Sequence, residues 1–589
     1  MATEMETPSI PLDLSVPGTK LLEVRGLNVW FKGQNDERRH VVKDVEFELR
    51  TGQCIALVGE SGSGKSVTAR SLVGLTGDSA IVSAAALSLE GETLLGRPDF
   101  WWRRVRGSKI GFILQDALVS LDPLRPVGKE IDEALSLHGW GNRQTRREKI
   151  LQILRQVGVP EPELRARQRP GELSGGLRQR ALIASAIALH PDIVIADEPT
   201  TALDVTVQAQ VLAVLKQMLA RGTSVILISH DLAVVAKLAD VILVMKAGEI
   251  VEAGPSRQVL GEPKHPYTQQ LLDAIPSEHT KGTRLSANEG VFARQLFAPS
   301  RLPTSGEGPL LEARNVIKSF RGPDGIRRTV VKDVSFTLRR GETLGIVGES
   351  GSGKSTIARI ALSLETPDSG EVRFLGEQWS HATPAQQQKI RRRIAVVYQD
   401  PLSSFDPRWR VSRILIDAIT LGDRRHAARA RARAAELLET VGLTGAHLDQ
   451  WPLRMSGGQR QRVAIARAIA TNPEIIVLDE AVSALDVSVQ AQILDLLSDL
   501  QIQLGVSYLF ISHDLGVIHH MSDRVLVMRN GMAVEQGTAD EVFYSPRHSY
   551  TQKLLESLPR LEYARLRLAA SSVGPKSWRA GIHEQIGDK

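Results

Sequence analysis

"GESGSGKS" occupies residues 59–66, and the same eight letters return at 348–355. Each copy fits G-x-x-x-x-G-K-[ST], and each lies between an apolar run and a stretch rich in helix formers. Glycines let successive backbone N–H groups turn inward around phosphate oxygens, and the positive end of the following helix adds to the attraction. Gly59, Glu60, Ser61, Gly62, Ser63 and Gly64 therefore read as a phosphate-binding loop. Lys65 is placed to reach the β- and γ-phosphates of a nucleotide and Ser66 to hold Mg²⁺. Gly348, Glu349, Ser350, Gly351, Ser352 and Gly353, followed by Lys354 and Ser355, repeat the arrangement.

The loop is part of a longer duplication. "LLEVRGLNVWFKG" at 21–33 matches "LLEARNVIKSFRG" at 310–322, and "VVKDVEFELRTGQ" at 41–53 matches "VVKDVSFTLRRGE" at 330–342. Further on, "LSGGLRQRALIASAIA" pairs with "MSGGQRQRVAIARAIA", and "SHDLAVV" with "SHDLGVI". A period this long is a repeated domain and not a solenoid. The expected organisation is an N-terminal extension over 1–19, one domain over 20–275, a polar linker over 276–309, a second domain over 310–560 and a tail over 561–589. Within each half, short apolar runs such as "CIALV", "DIVIAD" and "SVILISH" alternate with helical stretches. That alternation predicts an α/β fold, a parallel sheet covered by helices. Segments 117–172 and 401–454, rich in helix formers, predict a small helical subdomain inserted in each core.

Composition narrows the function classes. The chain has 589 residues, 42% of them hydrophobic and 24% charged, with a net charge of +6, which does not require a nucleic-acid partner. The single cysteine, Cys54, excludes internal disulfides, cysteine-rich zinc sites and a four-cysteine iron–sulfur cluster. It lies in "CIALV" and reads as a core thiol. No stretch reaches the roughly 18 consecutive apolar residues of a membrane span. The start, "MATEMETPSIPLDLSVPGTK", lacks the basic and apolar regions of a secretory signal, so a cytoplasmic chain is expected. Any membrane role then needs a partner that spans.

"IVIADE" and "IIVLDE" complete the chemistry. Asp197 and Asp479 end apolar runs where they can position Mg²⁺, and Glu198 and Glu480 follow where they can polarise an attacking water.

The order of phosphate loop, glutamine segment, "SGGQ"-type signature, Asp-Glu strand, "ALD" and "SHD" resembles the ATP-binding cassette (ABC) ATPases over residues 20–560. The resemblance implies two tandem P-loop NTPase (ABC ATPase) domains that use ATP and Mg²⁺. It implies that Gln115 and Gln399 touch Mg²⁺ and water, that His230 and His513 contact the γ-phosphate, and that Asp204 and Asp486 are D-loop aspartates. Phe31 and Phe320 fall where the family places an aromatic on adenine, and plain core packing explains them equally well. The signature residues are Ser174, Gly175 and Gly176 in the first half and Ser456, Gly457, Gly458 and Gln459 in the second. In the family each signature serves the opposite domain's nucleotide, so each site needs both halves. Site one then joins Lys65, Asp197, Glu198 and His230 to Ser456–Gln459, and site two joins Lys354, Asp479, Glu480 and His513 to Ser174–Leu177. Leu177 replaces the usual Gln and Ala481 the usual Pro, both in site two, which is expected to be the slower.

The branch it resembles is the peptide, nickel and glutathione importers. The segments "PKHPYTQQLLDAIP" and "PRHSYTQKLLESLP" are similar to that branch's C-terminal extension. Locally, His265, Pro266 and Tyr267 read as a helix start capped by Thr268. The resemblance implies an ATPase at the cytoplasmic face of the inner membrane, peripheral to two transmembrane permease subunits served by an extracytoplasmic solute-binding protein. Neither nucleic acid nor an iron–sulfur cluster is expected. Of the alternatives, a soluble tandem ATPase acting on ribosomes or DNA has one foothold, the basic stretch "RRHAARARARAAELL" at 424–438, which reads more simply as a solvated helix face. An exporter would usually be fused to membrane spans or would lack the extension.

Overall fold

The computed structural model describes residues 18–33, 37–115, 120–200, 205–277, 280–286, 308–322, 325–422 and 427–556. They fall into two compact units that change over at Leu272/Asp273. Most of the 1–19 extension, most of the linker and the 561–589 tail lie outside the described residues.

The first unit is built on strands β1 (Lys20–Lys32), β2 (Arg38–Arg50), β3 (Cys54–Val58), β4 (Ala80–Ser83), β5 (Ala86–Leu89), β6 (Glu92–Thr93), β7 (Ile110–Ile113), β8 (Ile193–Asp197), β9 (Ser224–Ile228), β10 (Val241–Lys246) and β11 (Glu249–Pro255). Its larger sheet has the order β11-β10-β3-β9-β8-β7. All neighbours are parallel except the β10–β11 edge pair. Strands β3, β8 and β9 are buried at every position, as continuous apolar runs covered on both faces must be. Burial pushes the Cys54 thiol well above its ordinary pKa, so it is an inert core group.

A second, antiparallel sheet runs β2-β1-β5-β6, with β4 also on β1. Leu27, Val29, Val42, Ile55, Leu57 and Ile226 join the two sheets in one core. The apolar runs did not reveal this sheet. Its long strands β1 and β2 carry several register shifts, which break the alternation that would signal a strand.

The second unit repeats the plan with β12 (Leu311–Arg321), β13 (Arg327–Leu338), β14 (Thr343–Val347), β15 (Ser369–Phe374), β16 (Glu377–Gln378), β17 (Ile394–Val397), β18 (Ile475–Asp479), β19 (Ser507–Ile511), β20 (Arg524–Arg529) and β21 (Met532–Thr538). Its sheets run β17-β18-β19-β14-β20-β21 and β13-β12-β15-β16.

Each unit carries inserted helices. In the first, Val127–Leu137 buries Val127, Ile131 and Leu135, one stripe at helical spacing. Arg143–Gln156 packs against it and is capped by Asn142, whose side chain accepts the N–H groups of Gln144 and Thr145. In the second, Val411–Thr420 packs on Ala427–Thr440. The described part of the basic stretch lies on that last helix. There Ala434, Leu437 and Leu438 are buried, while Arg431 pairs with Asp449 at 3.0 Å and Arg433 with Glu436 at 2.8 Å.

Residues 280–286, in the segment expected to be linker, pack on the second unit. Leu285 is buried in its core. The Asp495 carboxylate accepts the N–H of Leu285 at 3.1 Å, the N–H of Ser286 at 2.9 Å and the Ser286 hydroxyl at 2.6 Å. Arg284 adds a bond to Asp499 at 2.7 Å. Asp495→Ala leaves those donors without their acceptor, at a cost of about 2–3 kcal/mol. Trypsin is expected to cut this variant after Lys281 and Arg284 several-fold faster than wild type; equal cleavage rates would show that the carboxylate does not anchor the segment.

Candidate functional site

The phosphate loop links β3 to the helix Lys65–Ser71, and its copy links β14 to the helix Lys354–Ala361. Gly59 and Gly348 sit at φ 145 and 153, and a Cβ there would meet the carbonyl oxygens of Met245 and Met528 at 2.1 Å. No side chain fits between loop and strand. At Gly62 and Gly351 a Cβ would meet nothing within 4 Å.

The lysines are almost buried and point back into their loops. Lys65 Nζ donates to the carbonyls of Gly59 and Glu60, both at 2.7 Å, and to Ser63 Oγ at 3.3 Å. Lys354 Nζ donates to Gly348 at 2.7 Å and Glu349 at 2.9 Å. An ammonium held by carbonyl oxygens at the mouth of a glycine loop can exchange them for the stronger acceptors of a phosphate.

Asp197 at the end of β8 accepts the Ser66 hydroxyl at 2.9 Å, and Asp479 at the end of β18 accepts that of Ser355 at 3.3 Å. Burial raises the pKa of Asp197, which the Ser66 bond partly offsets and the neighbouring Glu198 charge increases. Burial, with Glu480 beside it, raises Asp479 in the same way. A carboxylate whose charged form is disfavoured gains from a cation, and paired hard oxygens beside a phosphate site suit Mg²⁺.

Glu198 and Glu480 adopt φ 49 and 51, the left-handed region that non-glycine residues rarely occupy. Their N–H groups are fixed to the carbonyls of Ile228 and Ile511, each at 2.9 Å. Such local strain is retained where surrounding structure imposes it, and here it turns each carboxylate toward a histidine. His230 Nδ1 lies 3.3 Å from Glu198 Oε1, and His513 Nδ1 lies 3.5 Å from Glu480 Oε2. Burial opposes a charged imidazole, yet the adjacent carboxylates outweigh it and raise both histidine pKa values. Glu480 shows the converse, burial pushing it up and His513 drawing it below the ordinary carboxylate range. Each histidine precedes an aspartate, Asp231 or Asp514, that caps the next helix and so fixes its backbone.

The two halves differ at the glutamines. Gln115 Nε2 donates to Glu198 Oε2 at 2.7 Å, whereas Gln399 Nε2 donates to Ser483 Oγ at 3.3 Å. The signatures differ too. Ser174 and Ser456 open the helices Gly175–Ala186 and Gly457–Ile469, accepting the N–H groups of Leu177 and Gln459. Gln459 Oε1 returns a bond by accepting the Ser456 N–H at 3.0 Å, which Leu177 has no group to do. Gly458 packs so closely that a Cβ would meet Val489 Cγ1 at 2.5 Å. Leu177→Gln is expected to complete the capping box and stabilise the first half by about 0.5–1 kcal/mol, read as a higher denaturation midpoint. No gain in the midpoint would show that this helix start does not need the bond.

Phe31 is partly buried and packs on the first core, while Phe320 is 38% exposed with Lys318 Nζ 5.3 Å from its ring centroid. Asp204 lies outside the described residues, and Asp486 caps the helix Val487–Leu504.

The helix start at the extension differs from expectation. The helix Pro266–Asp273 begins before Thr268, whose hydroxyl is buried inside it. His265 serves as the cap instead, its Nδ1 accepting the Tyr267 N–H at 3.1 Å. Tyr267, expected only as part of a helix start, and its counterpart Tyr550 also reach beyond that start. Their hydroxyls accept the N–H groups of Glu60 and Glu349, inside the phosphate loops, at 3.1 and 3.2 Å. The recurrence of "HPYT" as "HSYT" was the available signal.

The ABC transporter family profile matches residues 42–201 and 331–483, and that of the oligopeptide/dipeptide transporter C-terminal region matches 251–295 and 534–575. The chain is 42% identical over 575 residues to the glutathione import ATP-binding protein GsiA of Salmonella paratyphi A, covering 93% of this chain and 91% of that protein. It is 41% identical over 573 residues to GsiA of Escherichia coli K12, with the same coverage. A solved dimeric ATP-binding cassette bound to ADP and Pi is 30% identical, covers 39% of this chain and 98% of its own, and superposes with a TM-score of 0.36.

The chain belongs to the ABC transporter family. It is an ATP-hydrolysing subunit of the importer branch, with that branch's C-terminal region present after each of its two cassettes. The matches support this reading and not the soluble alternative.

Proposed function

We propose that the chain powers uptake of a short peptide-like solute, with glutathione, named in its relatives, the first to test. The observation that carries the site assignment is the twofold recurrence of one set of groups: a loop lysine, a Ser–Asp oxygen pair and a strained Glu–His pair. Lys65 and Lys354 bind the β- and γ-phosphates of ATP. Ser66, Gln115 and Asp197, and likewise Ser355, Gln399 and Asp479, are the residues that would hold Mg²⁺, which supplies charge neutralisation at the phosphates. Glu198 and Glu480 orient and polarise the attacking water, while His230 and His513 hold those carboxylates and contact the γ-phosphate. Phe320, the more exposed of the two phenylalanines, is the better placed for adenine.

In this reading the chain is peripheral at the cytoplasmic face of the inner membrane. No described helix is long and apolar enough to cross a membrane. Two permease subunits supply the path in this reading, and a solute-binding protein delivers the cargo. The test is purification of the tagged chain in gentle detergent with mass spectrometry of its partners, followed by uptake of labelled glutathione in cells with and without the gene. Two multi-span subunits and gene-dependent uptake are expected. Ribosomal or DNA-repair partners would overturn the importer assignment, and intact uptake without the gene would overturn glutathione.

A further inference from the structure

The peptide between Gly59 and Glu60 is gripped on both sides. Its carbonyl accepts Lys65 Nζ at 2.7 Å, and its N–H donates to the Tyr267 hydroxyl at 3.1 Å. The two groups of a trans peptide point in opposite directions from one rigid plane. A contact on the N–H therefore also sets where the carbonyl, and the lysine it holds, can lie. The second half has the same device. The Gly348 carbonyl accepts Lys354 Nζ at 2.7 Å, and the Glu349 N–H donates to the Tyr550 hydroxyl at 3.2 Å.

Each tyrosine is itself fixed. Tyr267 and Tyr550 are both 4% exposed. Lys246 Nζ lies 4.6 Å from the first ring centroid and Arg529 Cζ lies 4.8 Å from the second. Behind the first, the Glu252 carboxylate accepts the N–H groups of Lys264 and His265 at 2.8 and 3.1 Å. Behind the second, Glu535 accepts those of Arg547 and His548 at 2.7 and 3.1 Å. His548 Nδ1 accepts the Tyr550 N–H at 3.1 Å, as His265 does for Tyr267. The geometry persists although the cation over the ring changes from Lys to Arg and the residue before the tyrosine changes from Pro to Ser. The two halves share the hydroxyl on the loop together with the carboxylate and histidine behind it.

We propose that Tyr267 and Tyr550 are positioning residues for the nucleotide. Through the Gly59–Glu60 and Gly348–Glu349 peptides they hold the phosphate loop and its lysine in the receiving conformation, so the C-terminal extension of each half sets that half's affinity for ATP. This rests on the reading of residues 59–66 and 348–355 as ATP sites. Helix packing alone needs the ring but not the hydroxyl on the loop. Phenylalanine keeps the ring and the cation over it, and removes the hydroxyl with its bond to the loop.

The test compares the full-length wild type with the double variant Tyr267→Phe/Tyr550→Phe. Steady-state ATPase kinetics with Mg-ATP are measured alongside the melting temperature without nucleotide. The expected result is a KM for ATP raised about five- to tenfold, the range set by loss of one hydrogen bond to a partner left unpaired. At saturating ATP the kcat stays near that of wild type, and the nucleotide-free melting temperature moves little. The single variants show the same change in one of two kinetic phases. A lowered melting temperature with an unchanged KM would overturn the proposal and leave the tyrosines a purely structural role. Unchanged KM and unchanged melting would overturn it as well. A wild-type chain that binds no ATP would instead overturn the site assignment beneath it, which is a distinguishable outcome.

Discussion

Glu198→Gln combined with Glu480→Gln is expected to lower ATP hydrolysis by about a hundredfold or more, the range for loss of a general base, while ATP binding persists. Glutamine keeps the size of each side chain and can still face the histidine, so the left-handed turn at φ 49 and 51 need not change. What is lost is the charge. Glu480 is held below the ordinary carboxylate range because the His513 interaction overcomes the cost of burial, so it is ionised at neutral pH and able to polarise water. The single variants are expected to be unequal, with Glu198→Gln costing more. Pro199 follows Glu198 where Ala481 follows Glu480, and Gln115 contacts Glu198 directly, whereas Gln399 rests on Ser483. Steady-state phosphate release from the two single variants measures this, and equal losses would remove the asymmetry.

Lys65→Ala and Lys354→Ala act one step earlier. Each lysine makes charge-assisted bonds within its loop, and a bond of that kind contributes about 1.5–3 kcal/mol. If the same ammonium transfers to phosphate, its removal weakens ATP affinity about ten- to a hundredfold at that site. Titration with a fluorescent ATP analogue reads this directly. Arginine is not a neutral replacement, since its planar fork cannot occupy the compact, nearly buried position of either ammonium. Affinity within about twofold of wild type in both alanine variants would mean that the lysines hold only the loop.

Much of the α/β core was legible because its signals are local. The runs that became β3, β8 and β9 are apolar at every position, and that pattern needs no knowledge of the partner strands. The groups of the candidate site stand out for the same reason, with loop, Asp-Glu pair and histidine each following an apolar run. What could not be read depends on contacts distant in sequence. The Tyr267 hydroxyl reaches a loop N–H that belongs to Glu60. Asp495, on a helix face that looks ordinary, anchors Leu285 and Ser286. The left-handed turn at Glu198 has no marker in its residue type, because it is imposed by the bond to Ile228. The cap is His265 and not Thr268, although a hydroxyl is the commoner cap, and Pro266 at the first helical position is the better guide.

The central claim is that one chain carries two ATP sites. The most direct measurement is equilibrium binding of radiolabelled ATP with Mg²⁺ to the full-length Glu198→Gln/Glu480→Gln variant, in which turnover does not consume the ligand. Two ATP bound per chain is the predicted result. Saturation at one, or no binding at all, would contradict it.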